Sequence, residues 1–203
     1  MFDETKYNPE IHHRRSIRLK GYDYSQAGAY YITACVKDKM CMFGRVVDEV
    51  MMLNDAGIMI DKWWQKIPGK FQDIELGEYQ IMPNHFHGIF VNVGADPCVR
   101  PVSREADSIN EPHIVSNDAI DTSASLGEHI GSPLQRIMQW FKTMSTNEYI
   151  RNVKTKDWPP FNRKLFQRDY YEHIIRNEEA YNNIAEYIGN NPKNWNNDKF
   201  YLG

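Results

Sequence analysis

The sequence lacks any hydrophobic run long enough to span a membrane, and its first residues lack the apolar core of a signal peptide. Cysteine is also scarce. The three residues Cys35, Cys41 and Cys98 form no Cys-x-x-Cys pair, which argues against a zinc finger and against a disulfide framework. We therefore expect a protein of the reducing cytoplasm that has no membrane partner.

A strong positive charge is missing as well, because the formal net charge is −3. The charge is unevenly distributed: residues 95–130 contain seven acidic and two basic side chains, which leaves 20 acidic and 22 basic residues elsewhere. Any site for a polyanion must therefore come from a local cluster. The clearest cluster is near the N-terminus, and its candidate DNA-binding residues are Arg14, Arg15, Arg18 and Lys20. A basic terminal segment is also compatible with a solvated arm that binds nothing.

The length of 203 residues fits one domain, and a hydrophobic content of 41% is typical of a folded protein. One stretch departs from this composition. Gly94 to Gly131 has no sustained periodicity and is rich in Ser, Asn, Asp and Pro, and it is too long for an ordinary connection. We predict a single domain over 1–203 that carries a mobile acidic insertion over 94–131.

The hydrophobic pattern of the remaining chain predicts alternating strands and helices. The expected elements are a strand over 29–36, a helix over 54–67 capped by Asn54, strands over 74–82 and 86–93, a helix starting at Ser132-Pro133, a short strand over about 165–175 and a last helix over 178–190. This order predicts an α+β fold with a ferredoxin-like βαββαβ core. Its sheet is antiparallel, with two helices on one face, and the last helix is an addition that can cross the open face.

A His-x-His pair stands at the start of the second of the two adjacent strands, in the segment Met-Pro-Asn-His-Phe-His-Gly-Ile. Residues i and i+2 of a strand point to the same face, so His85 and His87 lie side by side while Phe86 packs on the other face. Two imidazoles held in this way can chelate one divalent metal.

A tyrosine on the last helix lies away from its apolar side. Tyr187 is roughly 110° from the centre of the stripe formed by Tyr181, Ile184, Ala185 and Ile188. Asn191 is four residues further on and shares a face with Tyr187 if the helix extends that far. A partly exposed tyrosine with a terminal asparagine cap is the simpler interpretation of this segment taken alone.

The histidine pair, Asn191 and Tyr187 could together form a metal-dependent catalytic site. Two imidazoles and an amide oxygen form a three-ligand site that suits Mn²⁺ or Mg²⁺ and leaves positions open for water and a phosphate oxygen. A tyrosine hydroxyl beside such a metal is a competent nucleophile towards a phosphodiester. No general base is evident from the sequence.

The His-x-His segment resembles the His-hydrophobic-His signature of the HUH single-tyrosine transposases, and more narrowly that of the bacterial REP-associated tyrosine transposases. Three further segments are similar to this family in the right order: Arg14–Tyr24, Gln167–Asn177 and the tyrosine motif Glu-Tyr-Ile-Gly-Asn-Asn-Pro over 186–192. The resemblance covers nearly the whole chain outside the insertion.

The resemblance implies a DNA strand-transferase that cleaves single-stranded or hairpin DNA from repetitive palindromes. Tyr187 would be the nucleophile that forms a 5′-phosphotyrosine link, and His85, His87 and Asn191 would be the metal ligands. The acidic insertion and the low net charge depart from what is expected of a DNA-processing enzyme.

Two alternatives remain open on the residues alone. One is a DNA-hairpin-binding protein without useful turnover, although pure binding requires none of the four site residues. The other is a metal-dependent phosphodiesterase that uses water as its nucleophile. Whether the protein is a monomer or a homodimer is also open.

Overall fold

The computed structural model describes residues 26–94 and 133–201. The elements in these ranges are six strands, four α-helices and two short 3₁₀ turns: β1 (Gly28–Cys35), a turn (Lys37–Lys39), β2 (Gly44–Val47), β3 (Val50–Leu53), α1 (Asp55–Gln65), α2 (Ile67–Lys70), β4 (Ile74–Ile81), β5 (His85–Asn92), α3 (Pro133–Thr155), β6 (Tyr171–Ile175), α4 (Glu178–Gly189) and a turn (Trp195–Asn197).

The central sheet has the strand order β4-β5-β1-β6, and each neighbouring pair is antiparallel. This is the order of a ferredoxin-like sheet, in which the first strand lies between the third and the fourth. The predicted α+β fold with its βαββαβ core is therefore confirmed. The strand that carries the histidines, β5, is central, with β4 on one side and β1 on the other.

The helical face of the sheet holds the main hydrophobic core. Asn54 caps α1 as expected, because its Oδ1 accepts a hydrogen bond of 2.9 Å from the N–H of Gly57. This start directs Trp64, which is fully buried, onto the sheet and towards α3. The Trp64 ring lies 4.5 Å from that of Phe86 and 5.8 Å from that of Phe141. Aromatic packing of this kind fixes the helices on β5.

A two-stranded hairpin, β2 and β3, lies between β1 and α1 and was not predicted. Its turn residues Asp48 and Glu49 have φ values of 48° and 64°. Two successive left-handed residues are typical of the tight type I′ hairpin turn, which usually carries Asn-Gly. The Asp-Glu pair therefore gave no recognisable turn signal in the sequence.

The opposite face of the sheet is covered by α4, which begins where the Asn177 Oδ1 accepts a hydrogen bond of 2.8 Å from the Ala180 N–H. The apolar contact here is small and includes Ile89, Ile175 and Ile188. The helix comes very close to β4: a Cβ added to Gly77 would stand 2.7 Å from the hydroxyl of Tyr181. Glycine at this position therefore lets α4 settle on the sheet.

Two predictions fall outside the described residues. The basic cluster Arg14, Arg15, Arg18 and Lys20 lies before residue 26, and nearly all of the insertion over 94–131 lies between the described ranges. Both remain predictions. Within the described residues, no helix has the length and apolar character needed to cross a membrane.

Candidate active site

The histidine pair lies on the α4 face of the sheet, as the i, i+2 spacing predicts. His85 and His87 are 0% and 1% exposed, and their ring centroids are 4.5 Å apart. Phe86 points to the helical face and is fully buried there. Burial of two adjacent imidazoles is costly unless their nitrogen atoms have partners. The hydrogen-bond partners of each ring therefore indicate which of its nitrogen atoms can bind a metal.

The ring of His85 is oriented by Asn84. The Nδ1 of His85 lies 2.9 Å from the Asn84 Oδ1, and the Asn84 Nδ2 donates to the carbonyl oxygens of Lys39 and Phe200 at 3.0 and 2.8 Å. Because the amide nitrogen is used on two carbonyls, the amide oxygen can only accept from His85. The proton of His85 is therefore on Nδ1, and Nε2 presents a lone pair.

The ring of His87 is oriented by two hydroxyls of β1. Its Nδ1 lies 2.8 Å from the Tyr31 hydroxyl and 2.9 Å from the Thr33 Oγ1, and Thr33 donates to Tyr31 at 3.1 Å. Since Thr33 uses its proton on Tyr31, its oxygen is free to accept from the Nδ1–H of His87. The register that pairs Thr33 with His87 brings these groups together. Hydrogen bonds of this kind hold metal-binding histidines in one orientation.

Three buried ligand atoms have no hydrogen-bond partner among the described residues: the Nε2 of His85, the Nε2 of His87 and the Oδ1 of Asn191. Buried polar atoms are almost always satisfied, so three unsatisfied atoms in one place require an explanation. Asp198 is beside them, because one ligand atom each of His85, His87 and Asp198 lies within 4.8 Å of the others. The donor set of imidazole, amide and carboxylate fits a divalent cation.

Asp198 was missed in the sequence analysis. It lies after α4, where its Oδ1 accepts a hydrogen bond of 2.7 Å from the Phe200 N–H and its Oδ2 lies 3.4 Å from the Asn191 Nδ2. The same Phe200 is tied through its carbonyl to Asn84. One signal was available, since Asp198 is the only acidic residue of the chain after Glu186.

The electrostatics of the site keep both histidines neutral at pH 7. Burial lowers the pKa of His85 to about 4, although the charge of the Asp198 carboxylate opposes this shift. Burial also lowers the pKa of His87 well below its usual range, and the neighbouring His85 adds to the effect. A neutral imidazole is the form that binds a metal, so the pair needs no deprotonation before binding.

Tyr187 is the exposed member of the group. Its side chain is 44% exposed, and its ring lies 5.6 Å from that of His87 at an angle of 64°. Partial burial and the charge of Asp198 raise the pKa of Tyr187, while a hydrogen bond with Asn191 lowers it. The phenol is therefore protonated at neutral pH and needs a base before it can act as a nucleophile.

Asn191 reaches the site in a different way from that expected. The helix α4 ends at Gly189, and Asn191 lies in the following turn, where its N–H donates to the Ile188 carbonyl at 3.1 Å. The side chain is nevertheless 1% exposed and contacts the site. The structure therefore brings Tyr187, His85, His87 and Asn191 together. Asn191 reaches the site from the turn after α4, not from the helix face that carries Tyr187.

Comparison with known proteins gives one full-length relative and a shared fold. A protein of Haemophilus influenzae, described as uncharacterized, is 38% identical over 200 residues, which are 98% of each chain. No family model matches the sequence. The solved structure of a REP-associated tyrosine transposase bound to a REP hairpin has a TM-score of 0.50 and 14% identity, over 88% of this chain and 73% of that one.

A second solved structure, a putative transposase of Deinococcus radiodurans, has a TM-score of 0.39 and 16% identity over 85% of this chain and 95% of that one. The chain belongs to the family of the Haemophilus influenzae protein, and it has the fold of the REP-associated tyrosine transposase.

Proposed function

We propose that the protein is a tyrosine transposase that cleaves and transfers single-stranded DNA next to a hairpin through a 5′-phosphotyrosine intermediate. The observation that carries the proposal is the position of Tyr187 beside two buried imidazoles whose Nε2 atoms have no partner among the described residues. The shared fold with a hairpin-bound tyrosine transposase supports the choice of substrate.

The metal-binding residues are His85, His87 and Asp198, with Asn191 as a further oxygen donor. A bound Mg²⁺ or Mn²⁺ would supply positive charge that polarises the phosphodiester and stabilises the leaving oxygen. Asn84, Tyr31 and Thr33 hold the two imidazoles in the ligating orientation. Strand β1 therefore supplies two of the residues that orient the histidines, and the segment after α4 supplies the two oxygen ligands.

In the proposed cleavage, the Tyr187 oxygen attacks the scissile phosphorus, and the bond from phosphorus to the 3′ oxygen breaks. The products are a phosphotyrosine on the 5′ side and a free 3′ hydroxyl. The phenolic proton passes to Asp198, whose negative charge acts on Tyr187, and the departing 3′ oxygen takes up a proton from solvent to become the 3′ hydroxyl. Strand transfer is the reverse attack by the 3′ hydroxyl of another strand, which releases Tyr187 and returns its proton.

The test is covalent trapping with a 3′-labelled hairpin strand and Mn²⁺, followed by a denaturing gel. The wild type should give a shifted band that protease removes. Tyr187→Phe deletes only the hydroxyl, so it should bind the same DNA and give no band. Tyr181→Phe is the matched control, because Tyr181 lies on the apolar side of the same helix and should leave the band intact.

A band from Tyr187→Phe that equals the wild-type band would show that another residue is the nucleophile. Release of a labelled fragment without a protein-linked band would instead indicate hydrolysis by water. If neither protein cleaves while both bind the hairpin, the protein is a binding protein and the proposal is wrong.

A further inference from the structure

A groove of about 900 Å³ lies between α3 and the segment that precedes β6. It lies on the helical side of β6, because Glu172 lines the groove while its neighbour Tyr171 points to the face of the histidines. Four of its side chains are cationic (Lys142, Arg163, Lys164 and Arg168), and two are acidic (Asp169 and Glu172). The groove therefore has an excess of positive charge in a chain whose net charge is negative.

Lys142 forms the inner part of this groove. Its ammonium group donates to the carbonyl oxygens of Gln167 and Arg168. An ammonium group has three N–H donors, so the third has no acceptor among the described residues. Burial lowers the pKa of Lys142 to about 8 although the Asp169 carboxylate opposes this shift, and no carboxylate of the described ranges lies within ion-pair distance of the ammonium group. A half-buried cation without a counterion favours the binding of an anion.

The outer part of the groove is formed by Arg163, Lys164 and Arg168. All three are exposed, and none is ion-paired with a residue that the structure describes. Arg163 has a φ of 62°, and a tight turn closes there through a hydrogen bond of 2.7 Å from the Lys164 N–H to the Asn162 carbonyl. Several unpaired cations along one groove are suited to successive phosphates of a nucleic-acid backbone.

An exposed aromatic side chain connects the groove to the active site. Tyr171, the first residue of the edge strand β6, is 55% exposed. Its ring stands edge-on to that of Tyr31 at 6.2 Å, and the Lys199 ammonium lies 6.0 Å from it. Tyr31 in turn contacts the Nδ1 of His87. Tyr171 lies on the other face of β6 from the groove, so a strand that leaves the groove over this sheet edge would meet an aromatic ring on which an unpaired base can stack.

We infer that this groove binds the phosphates of a single nucleic-acid strand, and that Tyr171 stacks on an unpaired base where the strand passes over the β6 edge towards His87. The inference rests on the proposed function for the end of this path. Single-strand sites combine cationic side chains that contact the phosphates with aromatic rings that stack on the bases. Along the inferred path, the strand meets the cations of the groove first and the ring of Tyr171 next. A duplex would present no free base to Tyr171.

The experiment measures fluorescence anisotropy of a labelled DNA hairpin with a single-stranded extension, in EDTA and in the Tyr187→Phe background, over a range of salt concentrations. The groove variant is Arg163→Gln/Lys164→Gln/Arg168→Gln. Each lost phosphate contact on a single strand reduces the log–log salt slope by roughly 0.7, so the slope should fall by about 2 and the low-salt affinity by at least tenfold. The matched control Arg45→Gln/Lys66→Gln/Lys70→Gln removes the same charge outside the groove.

A second pair of variants tests the stacking residue. Tyr171→Ala should weaken binding about tenfold, while Tyr171→Phe keeps the ring and should bind like the parent protein. Equal losses in the groove variant and the control triple would overturn the inference, as would a fully paired duplex that competes as well as the single strand.

The outcome is independent of catalysis. If native Tyr187 protein forms the covalent adduct but the groove variant binds like its control, the strand path is wrong and the proposed function stands. If the salt slope falls as expected but no adduct forms on any hairpin, the groove binds nucleic acid and the catalytic assignment fails.

Discussion

Strand β5 supplies side chains to both faces of the sheet, and the two faces are built differently. On the helical face, Phe86 packs against Trp64 and Phe141 with no polar atom of its own to satisfy. On the α4 face, His85 and His87 are equally buried, but each has a ligand atom with no hydrogen-bond partner in the part of the chain that the structure describes. Neighbouring residues of one strand therefore have different environments: Phe86 stabilises the core on one side, and the histidines form the proposed metal site on the other.

The difference also appears in how much apolar surface covers each face. The helical face carries an extended aromatic core, whereas the cluster under α4 is centred on three isoleucines. A face held by few apolar contacts relies on specific polar contacts to keep its groups in place. On the α4 face these contacts come from Asn84, Tyr31, Thr33 and Asp198.

The largest effects should come from adjacent substitutions in β5. Phe86→Ala should reduce the free energy of unfolding by about 3–5 kcal/mol, since it leaves a cavity in the core. His87→Ala should change the free energy of unfolding far less but reduce cleavage by roughly 10³-fold, because the metal supplies several kcal/mol of transition-state stabilisation. Urea unfolding in EDTA and a cleavage assay with Mn²⁺ separate the two.

His85→Ala should behave like His87→Ala, and both should still bind hairpin DNA, since the proposed phosphate contacts lie in the groove beside α3. Unchanged Mn²⁺-dependent cleavage in either histidine variant would contradict the assignment of the metal site to the α4 face. So would a histidine variant that is as unstable as Phe86→Ala.

Asp198→Asn should have the next largest effect. It keeps the shape and one oxygen ligand but removes the carboxylate that accepts the Tyr187 proton in the proposed cleavage, so cleavage should fall by roughly 10²-fold while hairpin binding persists. Asp73→Asn, which removes the same charge from an exposed position before β4, is the matched control for net charge. Equal cleavage by both variants would exclude Asp198 from the site.

A smaller effect is expected from the residues that orient His87. The double variant Tyr31→Phe/Thr33→Val removes both hydroxyls from its Nδ1, and loss of such partners weakens metal binding by about 10–100-fold. Tyr30→Phe is the control, because Tyr30 is the neighbouring residue on β1 and its ring packs in the helical-face core. Mn²⁺ affinity measured by calorimetry should drop for the double variant only, and a drop for Tyr30→Phe as well would point to a general loosening of β1.

Local signals explain what the sequence could and could not predict. The Asn54 cap, the alternation in β5 and the apolar stripe of α4 each follow from short-range rules, and these elements lie where expected. The β2–β3 hairpin was missed because its left-handed turn is made by Asp48-Glu49 without glycine. Asp and Glu do not carry the glycine or asparagine signal by which a left-handed turn is recognised.

The candidate site divides in the same way. The histidine pair and Tyr187 are readable from spacing within one strand and one helix. Asp198 is not, because it joins the site only through the turns that follow α4 and through the contact of Phe200 with Asn84. Long-range contacts of this kind leave no periodic trace in the sequence.

The most direct test of the account is whether the buried histidine pair binds a metal. We would titrate Mn²⁺ into the wild type and into His85→Ala/His87→Ala and follow free Mn²⁺ by electron paramagnetic resonance. The account predicts one bound Mn²⁺ per wild-type chain and none in the double variant at the same concentrations. A wild type that binds no Mn²⁺, or a double variant that binds it equally well, would contradict the account.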